Sequence, residues 1–260
     1  MRSRARSVFL LLGAIGLVAA TTACGSDSRT DATGTPSGDI TVFAAASLTA
    51  AFTDLADAFM AANPDTTVTL NFAASSELVT QIGEGAPADL FASADLSNMA
   101  KLTDAGNNAT APVVFAHNSA AIIVQPGNPK GITGVADLAD PDLVYVQCAP
   151  EVPCGKYATQ IFENAGITVT PKSLEENVKA VVTKVTLGEA DAGIVYLTDV
   201  KAAGDAAAGV EIPADINVVA EYPVAVTREA TNPEGAQGFI DFVLGAQGQA
   251  ILASYGFTAP

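Results

Sequence analysis

From Asp39 onward the chain alternates short β-type runs with segments of helical period, and this alternation limits the folds open to it more than any other feature. Ile40 to Ala45 reads as a strand. Leu48, Phe52, Leu55 and Phe59 then mark one face of a helix that Asn63-Pro64 ends. Thr67 to Phe72 is a second strand, followed by a helix from about Ser76 carrying Leu78, Val79 and Ile82. Leu90 to Ala92 is a third, before a helix with Met99 and Leu102 that stops at Gly106. A βαβαβα order favours a mostly parallel sheet with helices on both faces.

A second set follows, with strands at 120–124, 143–147 and 192–196 and helices from Pro153 to Asn164 and from about Asn177 to Leu187. The run VVAEYPVAV at 218–226 is β-type, and Pro233 to Gly245 reads as the last helix. About 220 ordered residues in this pattern divide more naturally into two α/β lobes than one. The expected division is residues 39–119 plus 224–260 for the first lobe and 120–223 for the second, with hinge crossings at about 117–122 and 220–226.

The N-terminus belongs to neither lobe. Arg2, Arg4 and Arg6 precede a 13-residue apolar run, Val8 to Ala20, and then Thr21-Thr22-Ala23-Cys24. The run is short of the roughly 20 residues that span a bilayer, and it reads as an export signal over 1–23. A Cys directly after small residues at a signal's end resembles a bacterial lipobox, so Cys24 is expected to carry lipid and tie the protein to the membrane. The alternative is ordinary cleavage with Cys24 incidental. Residues 24–38 hold no large apolar side chain and read as a flexible tether.

Composition removes several function classes. Loss of three basic residues from the twelve leaves nine against 28 acidic ones, a formal charge of −19. Such a chain has no reservoir of Lys and Arg to neutralise phosphates, so nucleic acid is not an expected partner. The single His, His117, leaves no partner set for a Cys-based catalyst or a metal centre. Cys148 and Cys154 are then expected to pair as a disulfide in an oxidising compartment.

Three segments echo one another: FAAASL at 43–48, FAASSEL at 72–78 and FASADL at 91–96. Each places Ser and small residues where a strand ends and a helix begins, so that a ligand can approach free backbone N–H groups. Plain N-capping by Ser is the competing reading. Ser93 in the third segment is read as structural, because Asp95 beside it would repel an anion.

Together with GAPADLFASAD at 85–95, VPCGKYA at 152–158, GEADAGIVYLTD at 188–199, EYPVAV at 221–226 and YGF at 255–257, these motifs resemble the molybdate-binding proteins of bacterial ABC uptake systems. The resemblance covers Asp39 to Pro260. It implies a type II periplasmic-binding-protein fold, two α/β lobes with a hinge and an interlobe cleft. It also implies a non-enzymatic monomer that captures molybdate, and tungstate, and passes it to a membrane permease, with no cofactor.

Carried over position by position, the resemblance implies hydroxyl and backbone donors from Ser47 and Ser75. Cys154 and Val178 would give backbone N–H groups and Tyr196 its phenol, with no direct protein ligand to the metal atom. Cys154 departs from the small apolar residue usual there, which a backbone donor tolerates. Four helix N-termini, each presenting about half a unit of positive charge, would offset a dianion without Lys or Arg. Lys156, Lys179 and Lys184 are read as solvated helix charges and His117 as structural. The rival readings are a receptor for another oxyanion such as sulfate, and a secreted Ser hydrolase, for which no G-x-S-x-G context exists.

Overall fold

The computed structural model describes residues 36–260, so the expectations for the signal segment, for Cys24 and for all but the end of the tether lie outside the described residues. In chain order the first elements are β1 (Gly38–Ala45), α1 (Thr49–Ala62), β2 (Thr66–Ala73), α2 (Ser75–Gly83), β3 (Leu90–Ala92), α3 (Leu96–Asp104) and β4 (Val113–Val124). There follow β5 (Tyr145–Cys148), α4 (Pro153–Ala165), β6 (Ser173–Glu175), α5 (Val178–Thr186), β7 (Ala192–Tyr196) and α6 (Leu197–Ala203). The chain closes with β8 (Ala208–Glu211), β9 (Val219–Val226), α7 (Pro233–Leu244) and α8 (Ala246–Tyr255).

The strands lie in the order β2-β1-β3-β9-β4-β7-β5-β6, with β8 also on β4. The twelve-residue β4 is shared by two halves of this path. Its first part, Val113 to Ser119, pairs with β9, while Ala120 to Val124 pairs with β7 and β8. The expectation of a mostly parallel sheet is corrected here. β1 pairs parallel with β2 and β3, and β5 with β6 and β7, but β3–β9, β4–β9, β4–β7 and β4–β8 are all antiparallel. The alternation of strand and helix describes the ends of the path, and β9 and β4 at its middle each run against their neighbours on both sides.

Four elements were not legible. β6 is three residues, β8 is four and α6 is seven, too short to show a period. The expected last helix ends at Leu244, and α8 continues beyond Gly245 because Gly248 lets it pack onto the carbonyls of Phe242 and Val243. β4 extends seven residues before Ala120 since His117-Asn118-Ser119, though polar, join the ladder through their backbones.

The core follows the apolar stripes. Leu48, Phe52, Leu55 and Phe59 are all buried, and Phe52 and Phe59 meet Phe239 of α7 edge to face at 6.1 and 5.2 Å. Each such side chain contributes about 1.5–3 kcal/mol by leaving water. A separate cluster of Ile122, Tyr145, Ile161, Phe162 and Ile194 fills the β5–β7 half.

Candidate functional site

The loops after β1, β2, β5 and β7 open toward one cavity. Ser47, Ser75, Cys154, Val178 and Tyr196 all line it, with Ala45, Ala46, Ala74, Ala94, Val152, Pro153 and Asn177. Its cavity volume of about 10 Å³ is far below the roughly 300 Å³ at which pockets for organic ligands begin. A small ion suits this space better than a sugar or an amino acid.

Helix starts supply much of the lining. The residue before α2 is Ala74 and that before α4 is Val152, and neither has a capping side chain. A 3-10 turn at Ala46–Leu48, leading into α1, is likewise preceded by the uncapped Ala45. Away from these starts, Asp95 and Asn232 cap α3 and α7 by accepting from Asn98 N and Gly235 N. Asn177 caps α5 through Ala180 N at 3.1 Å, yet the Val178 N–H still has no acceptor within the helix. The N-capping reading of the serines is therefore excluded: Ser75 is the first residue of α2, and Ser47 lies inside the turn.

The three hydroxyls differ in their partners. Ser75 Oγ accepts from Ala94 N at 3.0 Å, and Ser47 Oγ lies 3.0 Å from the Tyr222 hydroxyl. Tyr196 is 2% exposed, and its hydroxyl is the one buried side-chain N or O atom without a partner among the described residues. Leaving such a group unpaired costs about 1–3 kcal/mol. Burial pushes this phenol well above its usual range, with Tyr222, Tyr157, Asp95 and Asp199 acting in the same direction, so it stays a neutral donor.

The second set of supports is covalent and ionic. A disulfide joins Cys148 at the end of β5 to Cys154 in the first turn of α4, with the Cα atoms 5.7 Å apart. A Cβ on the next residue, Gly155, would collide with the carbonyl oxygens of Cys148 and Ala149. Glycine is thus what lets α4 begin against the end of β5.

The reading of the three lysines as solvated charges is corrected. Lys156 pairs with Asp95 at 2.9 Å, Lys179 with Asp199 at 2.8 Å and Lys184 with Glu175 at 2.7 Å. All three carboxylates are buried and need a counter-charge, which sequence separations of 9 to 61 residues conceal. Asp199 also accepts from Tyr196 N at 3.2 Å, tying the start of α5 to the turn that carries Tyr196. Burial raises its carboxyl above the usual range, while Lys179 opposes that shift.

The remaining candidates have structural geometry. Ser93 Oγ donates to Asp95 O at 2.8 Å. His117 Nδ1 lies 3.2 Å from Ala259 O and Nε2 3.7 Å from Glu221, so its ring meets no serine. No group of three or more His, Cys, Asp or Glu side chains able to hold a metal ion occurs among the described residues. Residues that sequence reasoning gave no role are Ala94, Asp199, Tyr222 and Asn118. Tyr222 stands in the quoted EYPVAV, but nothing local signals that it reaches Ser47.

A family model described as bacterial extracellular solute-binding protein matches residues 40–258. Over 247 residues the chain is 42% identical to the molybdate-binding protein ModA of Mycobacterium tuberculosis, covering 94% of this chain and 95% of that one. It is 35% identical over 231 residues to ModA of Escherichia coli, covering 85% and 89% respectively. The solved periplasmic molybdate-binding protein of Azotobacter vinelandii aligns with a TM-score of 0.73 at 21% identity, covering 85% of this chain and 99% of that one. At that identity the likeness speaks for the fold.

Proposed function

Because the chain belongs to the bacterial extracellular solute-binding proteins and has the type II periplasmic-binding-protein fold, we propose that it captures molybdate, and tungstate, for an ABC permease. The relatives named above are molybdate-binding proteins, and the cavity chemistry suits such an oxyanion. The observation that carries the reading is the buried, unpartnered Tyr196 hydroxyl, in a cavity where the starts of α2 and α4 have no side-chain cap.

In this reading Ser47, Ser75 and Tyr196 donate hydroxyl protons while Cys154 and Val178 donate backbone N–H groups. Charge is offset by helix starts, each worth about half a unit, without a cation in contact. The metal atom meets no protein ligand, since only its oxygens face the donors. Residues 39–119 plus 224–260 and residues 120–223 act as lobes joined through β4 and β9, and their closure excludes water from the anion. Lipid on Cys24 holds the monomer at the membrane beside its permease.

Calorimetric titration tests the reading. Molybdate and tungstate should each bind at one per chain, and sulfate and phosphate weakly or not at all. Sulfate is smaller and leaves donors unpaired, and phosphate brings a proton that needs an acceptor. Sulfate binding as tight as molybdate would overturn the assignment.

A further inference from the structure

One buried charge beside the cavity depends on a single cation. Asp199, in the first turn of α6, is 1% exposed. Its Oδ1 accepts from Lys179 Nζ at 2.8 Å and its Oδ2 from Tyr196 N at 3.2 Å, with no other partner among the described residues. Asp95 is the contrast. Besides Lys156 at 2.9 Å it keeps Asn98 N at 2.9 Å, Asn98 Nδ2 at 3.1 Å and Ser97 Oγ at 2.8 Å. Without its lysine Asp95 would still be held by its own loop, whereas Asp199 would be left with one backbone N–H.

Lys179 stands where a helix gains nothing from a cation. It is the second residue of α5, and the positive end of a helix repels a lysine in its first turn. Lys184, in the last turn, has the placement that the dipole favours. Lys179 therefore serves something other than its helix, and Asp199 is what it meets. The carboxylate is the inner member of the pair. It is closed off from water and bonded to the backbone of the lining residue Tyr196, while the Lys179 side chain is 34% exposed. The field of Asp199 reaches the cavity wall, since it helps to push the Tyr196 phenol above its usual range.

We propose that Lys179 is a positioning residue that acts through Asp199: without touching the anion, it cancels the buried carboxylate, so that a dianion meets a wall with no net charge. The inference rests on the proposed placement of the anion in this cavity. A dianion near a lone buried carboxylate is repelled through both of its charges, and near a protein the interaction is about four times stronger than in bulk water. The helix starts would then have to offset Asp199 as well as the ligand. Held one layer back, the cation balances the wall without gripping the anion.

The test is calorimetry with molybdate in mildly alkaline buffer, to keep the Asp199 carboxyl ionised, on the wild type, Lys179→Met, Asp199→Asn and the double variant. Lys179→Met should weaken molybdate by about tenfold or more. Asp199→Asn, which keeps an acceptor for Tyr196 N, should strengthen it by roughly threefold to tenfold. The double variant carries no charge at either position and should return to within about threefold of the wild type. Such a rescue is the mark of charge, since a pair that served only to hold α5 would be broken in all three variants.

Wild-type affinity in Lys179→Met, a double variant as weak as Lys179→Met, or an Asp199→Asn weaker than the wild type would overturn the proposal while molybdate binding by the wild type stands. A wild type that does not bind molybdate would instead overturn the functional reading, and this inference with it. Lys179→Met leaves a buried carboxylate without its counter-charge, which costs stability. Should it not fold, the other two variants carry the test. Asp199→Asn should then bind more tightly than both the wild type and the double variant, and any other order overturns the proposal.

Discussion

The two sides of the cavity present different kinds of group to it. On the β1–β2 side the proposed donors include side-chain hydroxyls, Ser47 and Ser75, set beside alanines at the strand ends. On the β5–β7 side the proposed donors are the backbone N–H groups of Cys154 and Val178, with Tyr196 the one side chain. A hydroxyl donor is lost when its residue changes. A backbone donor is indifferent to its own side chain but depends on whatever aims the helix, here Gly155, the Cys148–Cys154 disulfide and the Lys179–Asp199 pair.

The largest effect is expected at Gly155. A methyl there meets two carbonyls, so Gly155→Ala should destabilise the protein by about 1–3 kcal/mol. It should also reduce molybdate affinity more than loss of either serine, although Gly155 itself donates nothing to the anion. Thermal unfolding and calorimetry read the two effects, and a wild-type affinity would show that the start of α4 does not position a donor.

Next in size, Ser47→Ala, Ser75→Ala and Tyr196→Phe should each weaken molybdate by about 1.5–3 kcal/mol, the scale of a hydrogen bond to a charged group. Tyr196→Phe should do so without loss of stability, since the free protein gains nothing from an unpartnered hydroxyl. Wild-type affinity in all three would place the anion elsewhere.

Removing the disulfide with Cys148→Ser and Cys154→Ser should lower stability by about 2 kcal/mol, the chain-entropy value for so short a loop. Affinity should fall less, because the Cys154 N–H remains. An affinity loss as large as that of Ser75→Ala would mean that the cross-link, more than Gly155, holds the donor in place.

The smallest effects belong to Val178 and to pH. Val178→Ala keeps the N–H and should change affinity by about 0.5 kcal/mol or less, on the scale of a change away from any special feature. Affinity should also stay flat from neutrality up to pH 10, where unperturbed tyrosine titrates, because burial holds the Tyr196 and Tyr222 phenols above that value. A fall below pH 10 would show that one of these hydroxyls is less enclosed than its environment implies.

The alternating order of elements, the buried faces of α1 and α2, and the strand-to-helix junctions at Ser47, Ser75 and Cys154 are legible in the residues alone. Those features are local: period, turn residues and small side chains act within a few positions of one another. The sequence also carried the motif pattern that named the five lining residues, which one cavity holds. What stands behind them emerges from the folded arrangement. The antiparallel middle of the sheet depends on β4 pairing with β9 about a hundred residues later. The lysines look solvated until Asp95, Asp199 and Glu175 arrive from other elements. Tyr222 reaches Ser47 across 175 positions. Ion pairs and hydrogen-bond directions depend on distances of a few ångström between remote residues, and a linear pattern holds no record of them.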